Sequence, residues 1–273
     1  MAMLALPDGI LAYRDRGRGV PVTACHGFAL AGAAWSEVAA AVGAGWRWLL
    51  PDLRGHGATT VPPDAPHTLE AAADDLVRLW DALGIGRSHL VGYSMGARVA
   101  LALAVRDPER CRSLVVISGH AGLEPAGRPG RRDADRAWGE RLLHDGTERF
   151  ADAWEALPLF AGVARRGAPA RARLARIRRR SRPEGLAASL RDSGAGAMAP
   201  LWDRLQGVRC PTLVVAGAED PRYLAYAARL VGALPRAELV VVPRCGHAVP
   251  AERPHLLGRV LAAFLRSAEA GGA

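Results

Sequence analysis

Ser88-His89-Leu90-Val91-Gly92-Tyr93-Ser94-Met95-Gly96-Ala97-Arg98-Val99-Ala100 is the stretch on which the fold turns. It opens with a short apolar run over 88–91, passes through Gly-x-Ser-x-Gly, and enters a helical pattern over 95–106 that stops before Asp107-Pro108. A strand that reverses sharply into a helix needs neighbours without side chains at the bend, and Gly92 and Gly96 supply them. Such a turn strains Ser94, lifts its hydroxyl to the tip of the strand, and points the Met95 amide outward from a helix N-terminus, where it stabilises negative charge. As a bare pattern Gly-x-Ser-x-Gly is frequent, and its other reading is an ordinary tight turn. The strand–turn–helix context gives it weight.

Outward from this turn the same alternation continues. Segments 20–25, 46–50 and 114–118 read as buried strands, with helical patterns over 33–42 and 68–83. It resumes late in the chain, with strands over 212–216 and 238–242 and helices over 223–234 and 254–268. Strands alternating with helices predict an α/β fold with a mostly parallel sheet flanked by helices. Between the halves, 120–205 shows no convincing strand and four or five helical segments rich in Arg, Ala and Trp. The expected organisation is a core formed by 1–119 and 206–273, with 120–205 inserted as a helical lid over the carboxyl ends of the strands. The tail 269–273 is expected to fray. Gly194 to Ala199 mimics a dinucleotide-binding turn but follows no strand, so that reading falls.

Composition narrows the function. Half of the 273 residues are hydrophobic, which excludes a disordered chain, and four widely separated cysteines cannot form a disulfide scaffold or a zinc site. The net charge of +9 ordinarily points to nucleic acid or acidic lipid, yet all 36 basic residues are arginine. The absence of lysine excludes Schiff-base chemistry and a P-loop. The arginine run over 171–182 has no interleaved aromatics to stack bases and reads as a solvated helix face. Residues 1–15 carry no basic region, and Pro7, Asp8 and Gly9 break their apolar stretches. No signal peptide, membrane span or nucleic-acid partner is expected, and the expected location is cytoplasmic.

A serine nucleophile needs a base, and the base needs an orienting acid. Of eight histidines, His247 in Cys245-Gly246-His247 follows the late strand, and Asp220 closes Gly217-Ala218-Glu219-Asp220 after the strand before it, with Glu219 as its local rival. His26 and His56 sit on earlier loops and read as structural.

Taken together, His26-Gly27-Phe28, Asp52-Leu53-Arg54-Gly55-His56-Gly57, Gly92 to Arg98, Asp220 and Gly246-His247 resemble the α/β-hydrolase superfamily over essentially the whole chain. The order Ser94, Asp220, His247 is that superfamily's order, and the resemblance implies that the Phe28 amide joins that of Met95 as the second oxyanion donor. Further features are similar to one branch, the 2-succinyl-6-hydroxy-2,4-cyclohexadiene-1-carboxylate synthases of menaquinone biosynthesis (MenH). These are Gly92-Tyr93-Ser94-Met95-Gly96-Ala97-Arg98, Gly119 to Leu123, Arg131 to Trp138, Trp154 with Pro158-Leu159-Phe160, and Ser189 to Gly194. The chain departs from that pattern at Ala97, where a glycine is usual, at Pro250 and at Arg182-Pro183.

The resemblance implies a carbon–oxygen lyase that eliminates pyruvate without cofactor or metal, using Ser94 as general base. A serine carboxylesterase or thioesterase with the same triad is the alternative. A small anionic polycarboxylate substrate needs arginines that grip carboxylates in bidentate fashion. Arg98 lies one helical turn after Ser94 on the same face. By match to the family, Arg131 and Arg178 would join it, with Tyr93 and Trp154 lining the pocket. Oligomeric state stays open.

Overall fold

The computed structural model describes residues 1–271. Its eight strands are β1 (Ala2–Leu6), β2 (Gly9–Gly17), β3 (Val20–Cys25), β4 (Trp46–Pro51), β5 (Ser88–Tyr93), β6 (Cys111–Ile117), β7 (Thr212–Gly217) and β8 (Ala237–Val242). They form one sheet in the order β1-β2-β4-β3-β5-β6-β7-β8. The six strands from β4 to β8 in this order pair in parallel, while β1/β2 and β2/β4 are antiparallel. The antiparallel β1–β2 pair escapes the sequence reading. It is a short hairpin around Pro7-Asp8 whose strands are only partly buried, so it lacks the dense apolar run that marks the central strands.

The helices are α1 (Ser36–Val42), α2 (Leu69–Ala82), α3 (Met95–Arg106), α4 (Arg128–Glu155), α5 (Gly167–Arg178), α6 (Pro183–Ser193), α7 (Pro221–Ala233), α8 (Val249–Glu252) and α9 (Pro254–Ala270). Thr68 caps α2 by accepting from the Ala71 amide at 3.1 Å. α4 breaks at Gly146, whose φ of 75° no helix interior allows.

Alternation along the strands splits the core in two. Leu90, Leu114, Val116 and Val214 pack with α2, α3 and α7 residues such as Leu76, Trp80, Leu101 and Leu230. Val91, Val115, Ile117 and Val215 face the other way, onto Val38 of α1 and Leu257, Leu261 and Leu265 of α9. The second cluster runs on into Phe150, Trp154 and Phe160, so the helices between β6 and β7 share apolar packing with the sheet.

The expected fraying at 269 does not occur. The closing helix runs through Ala270, and Glu269 pairs with Arg112 at 2.9 Å and lies 3.1 Å from the buried His89. Gly272 and Ala273 lie outside the described residues. Among the described residues no helix is long and apolar enough to cross a membrane.

Candidate active site

Between β5 and α3 the backbone of Ser94 has φ 53° and ψ −110°, a conformation that a residue with a side chain rarely adopts and that the surroundings must impose. Its amide donates to the Ile117 carbonyl on β6 at 2.9 Å. The flanking glycines are needed for space. A Cβ on Gly92 would lie 2.4 Å from the Gly96 carbonyl oxygen, and one on Gly96 would lie 2.2 Å from that of Cys25.

The residues expected as base and acid come from the far half of the sheet. His247 Nε2 lies 3.1 Å from Ser94 Oγ, and His247 Nδ1 lies 2.9 Å from Asp220 Oδ2. Asp220 follows β7 and caps α7, its other oxygen accepting from the Tyr223 amide at 3.2 Å. Both groups are buried, and Ser118 Oγ donates to the His247 carbonyl at 2.9 Å. Three rings wall the imidazole: Tyr223, Tyr93 and Phe160, with centroids 4.3, 5.5 and 6.3 Å away. Glu219 points elsewhere and pairs with Arg165 at 2.6 Å.

Phe28 and Met95 line the same cavity as Ser94, and among the described residues neither amide donates to a protein acceptor. A free N–H is what an expected oxyanion donor requires. His26 braces this loop: its Nε2 accepts from the Leu53 amide at 2.9 Å and its Nδ1–H donates to the Gly27 carbonyl at 2.8 Å. Burial lowers its pKa to about 4, so it stays neutral. His56 packs edge-on against Phe28 and His26 and is likewise held neutral by burial, at about 3.

Ser94 opens into a cavity of about 270 Å³ lined from both the sheet and the inserted helices. All five residues expected to bind substrate line it, but they are not equivalent. Arg98 is buried, and among the described residues its only hydrogen-bond partner is the Ser193 carbonyl at 2.5 Å. Loss of hydration lowers its pKa to about 10. Arg131 is already paired with Asp135 at 2.9 Å, and Arg178 with Glu155 at 3.2 Å. Arg178 also stacks over Phe160, and burial lowers its pKa. Tyr93 is buried with its hydroxyl pKa raised, and the Trp154 indole N–H is buried without a partner.

Three residues escaped the sequence reading. His120 lines the cavity, and its Nδ1 accepts from the Gly122 amide at 3.0 Å. Burial, then Arg98 and Arg131, hold its pKa well below the usual value, so Nε2 carries the single ring proton. Asp135 sits buried in the wall, its carboxyl pKa raised by burial. Glu252 accepts from the amides of Gly246 and Ala248, on either side of His247. His120 and Asp135 lie in stretches already similar to the family branch, Asp135 also at i,i+4 from Arg131, while Glu252 left no such signal.

Known proteins match along most of the chain. A Bacillus subtilis protein provisionally named as a 2-succinyl-6-hydroxy-2,4-cyclohexadiene-1-carboxylate synthase is 32% identical over 97% of this chain and 98% of its own. The enzyme of that name from Klebsiella pneumoniae is 33% identical over 89% of this chain and 92% of its own. The structure of MenH from S. aureus superposes with a TM-score of 0.89 at 25% identity, covering 97% of this chain and all of the other. A malate-bound esterase from Thermogutta terrifontis superposes with a TM-score of 0.86 at 30% identity, covering 97% of each chain. The alpha/beta hydrolase fold family matches residues 20–254, a span that holds the serine turn, the acid and the histidine alike. The chain belongs to the α/β-hydrolase fold family.

Proposed function

We propose that the chain is a lyase that releases pyruvate from 2-succinyl-5-enolpyruvyl-6-hydroxy-3-cyclohexene-1-carboxylate, giving 2-succinyl-6-hydroxy-2,4-cyclohexadiene-1-carboxylate. The observation that carries this reading is Arg98, a buried guanidinium that lines the same cavity as Ser94 and, among the described residues, forms no ion pair at contact distance with a carboxylate. A buried cation held by one backbone carbonyl and only the longer-range attraction of Asp135 is a ready site for an acidic ligand. The identity to synthases of that name, at 32% and 33%, supports the same reading.

The chemistry follows from the substrate. Its C2 proton is acidic because the carbanion left behind is the enolate of the succinyl ketone. Ser94 Oγ, its own proton drawn to His247, takes the C2 proton, and Asp220 steadies the imidazolium. The amides of Phe28 and Met95 stabilise the enolate oxygen. The electron pair moves from C2 into a C2–C3 double bond, the C3–C4 double bond shifts to C4–C5, and the bond from C5 to the enolpyruvyl oxygen breaks. The leaving enolate takes up the proton and departs as pyruvate. Arg98 and the neutral His120 donate to carboxylates and hold C2 against Ser94, an orientation effect that can lower a barrier by roughly 7–11 kcal/mol at best. Residues 120–205 act as the lid over a core of 1–119 and 206–273, and the enzyme works in the cytoplasm without nucleic-acid or membrane partners.

Adding this substrate and following pyruvate through lactate dehydrogenase tests the proposal, and absence of pyruvate refutes it. A second reading, a serine esterase acting covalently, has a specific observation in its favour: the esterase superposes nearly as well as MenH. A burst of nitrophenol from an activated ester, with an acyl group trapped on Ser94, would favour that reading.

A further inference from the structure

The loop that carries His247 is held by one buried side chain. Glu252 Oε2 accepts from the Gly246 amide at 2.8 Å, and Oε1 accepts from the Ala248 amide at 3.1 Å. The carboxylate therefore straddles the histidine, tying down the peptide on each side of it, while its own side chain is 2% exposed.

The inserted helices reach this carboxylate twice. Arg165 Nη2 lies 3.3 Å from Glu252 Oε2 and 2.6 Å from Glu219 Oε2, the neighbour of Asp220. The backbone at Gly162 rests on the same carboxylate, for a Cβ there would come within 1.9 Å of Glu252 Oε2. The acid loop is tied in as well, since the Glu219 amide donates to the Cys245 carbonyl at 2.8 Å. One turn of the insertion thus sits on the group that fixes the base and on the residue beside the acid.

We propose that Glu252 is a positioning residue that keeps His247 in line with Ser94, and that Gly162 and Arg165 make this hold depend on the seating of the inserted helices. The inference rests on the triad reading above and adds to it a mechanical link between lid and base. A buried carboxylate needs its donors. With Arg165 in place and Gly162 bare, it stays where both amides reach it. When that turn lifts, the carboxylate loses its cation and gains room to swing, and the imidazole loses its alignment.

The test is the rate at which a fluorophosphonate phosphonylates Ser94, read by intact mass. The serine oxygen attacks phosphorus, fluoride leaves, and the serine proton passes to His247, so the rate reports the serine and its base without requiring the lyase substrate. Glu252→Ala should slow labelling by about 50-fold or more, with kcat for pyruvate release falling in proportion and KM within twofold. Glu252→Gln keeps an acceptor for one amide and should lose only about tenfold. Arg165→Gln and Gly162→Ala, both on the insertion, should slow labelling about three- to tenfold at temperatures where each variant remains folded. Wild-type labelling in Glu252→Gln overturns the positioning role, even if Glu252→Ala fails to fold. Wild-type labelling in both insertion variants overturns the link. A chain that labels normally yet releases no pyruvate counts against the lyase reading and leaves this one standing.

Discussion

Replacing Arg98 by methionine separates what the fold spends on this side chain from what the site gains. Burial lowers the guanidinium well below its ordinary value, to about 10. At about 1.4 kcal/mol per tenfold change in proton affinity, holding that charge away from water costs the fold on the order of 3 kcal/mol. At pH 7 the group is charged in both the folded and the unfolded chain, so the whole cost is carried there and eases only above pH 10. Methionine has similar length and no charge, and it forfeits the charge-assisted bond to the Ser193 carbonyl, worth about 1.5–3 kcal/mol, with the attraction of the buried Asp135 carboxylate. The two sides nearly cancel, so Arg98→Met should leave stability within about 1 kcal/mol of wild type, a melting temperature within about 3 °C. Turnover should fall steeply. A fork that makes two charge-assisted bonds to a substrate carboxylate contributes about 3–5 kcal/mol, so kcat/KM for pyruvate release should fall by about 10² to 10⁴. Arg98→Lys keeps charge but not the planar fork, and should fall between. Calorimetric melts and the lactate dehydrogenase-coupled assay read the two effects separately. A methionine variant that melts more than about 5 °C lower, or one that turns over normally, would refute the idea that Arg98 is held at a cost for an acidic ligand.

Other expectations follow from the same geometry. Ser94→Ala and His247→Ala should abolish pyruvate release while calorimetric titration still shows substrate binding; Asp220→Asn should lower kcat by about 10³ to 10⁴, and turnover within tenfold of wild type would exclude it as the orienting acid. Urea midpoints should fall as pH drops below about 6.5, since an unfolded chain protonates histidines that burial holds neutral down to about 4 at His26 and about 3 at His56. The slope is roughly 1.4 kcal/mol per pH unit for each histidine, and a midpoint that stays flat to pH 5 would contradict the burial argument. Gly96→Ala should destabilise by about 2–4 kcal/mol in thermal melts, because its Cβ would meet the Cys25 and His26 carbonyl oxygens at 2.2 and 2.6 Å; a neutral result would mean the elbow tolerates a wider turn.

What the chain alone determined is whatever is written in local spacing. The parallel strands β3 to β7 are apolar runs because both their faces are largely covered, and such runs are visible without coordinates. The serine turn is legible because two glycines must flank a bend this tight, and Asp220 and His247 are legible because each follows a strand end in the order that carries acid and base to the same edge. The hairpin of β1 and β2 was not, since edge strands half open to water need no such run. Arginine roles were hidden for another reason. Thirty-six identical cations look alike in a sequence, and only packing shows that Arg131 and Arg178 already hold carboxylates while Arg98 holds none. Glu252 is the same case on the acidic side, a plain glutamate until the fold bends two amides and an arginine of the inserted helices onto it. Pairing of charges depends on distance in space, and that is decided only when the insertion settles on the sheet.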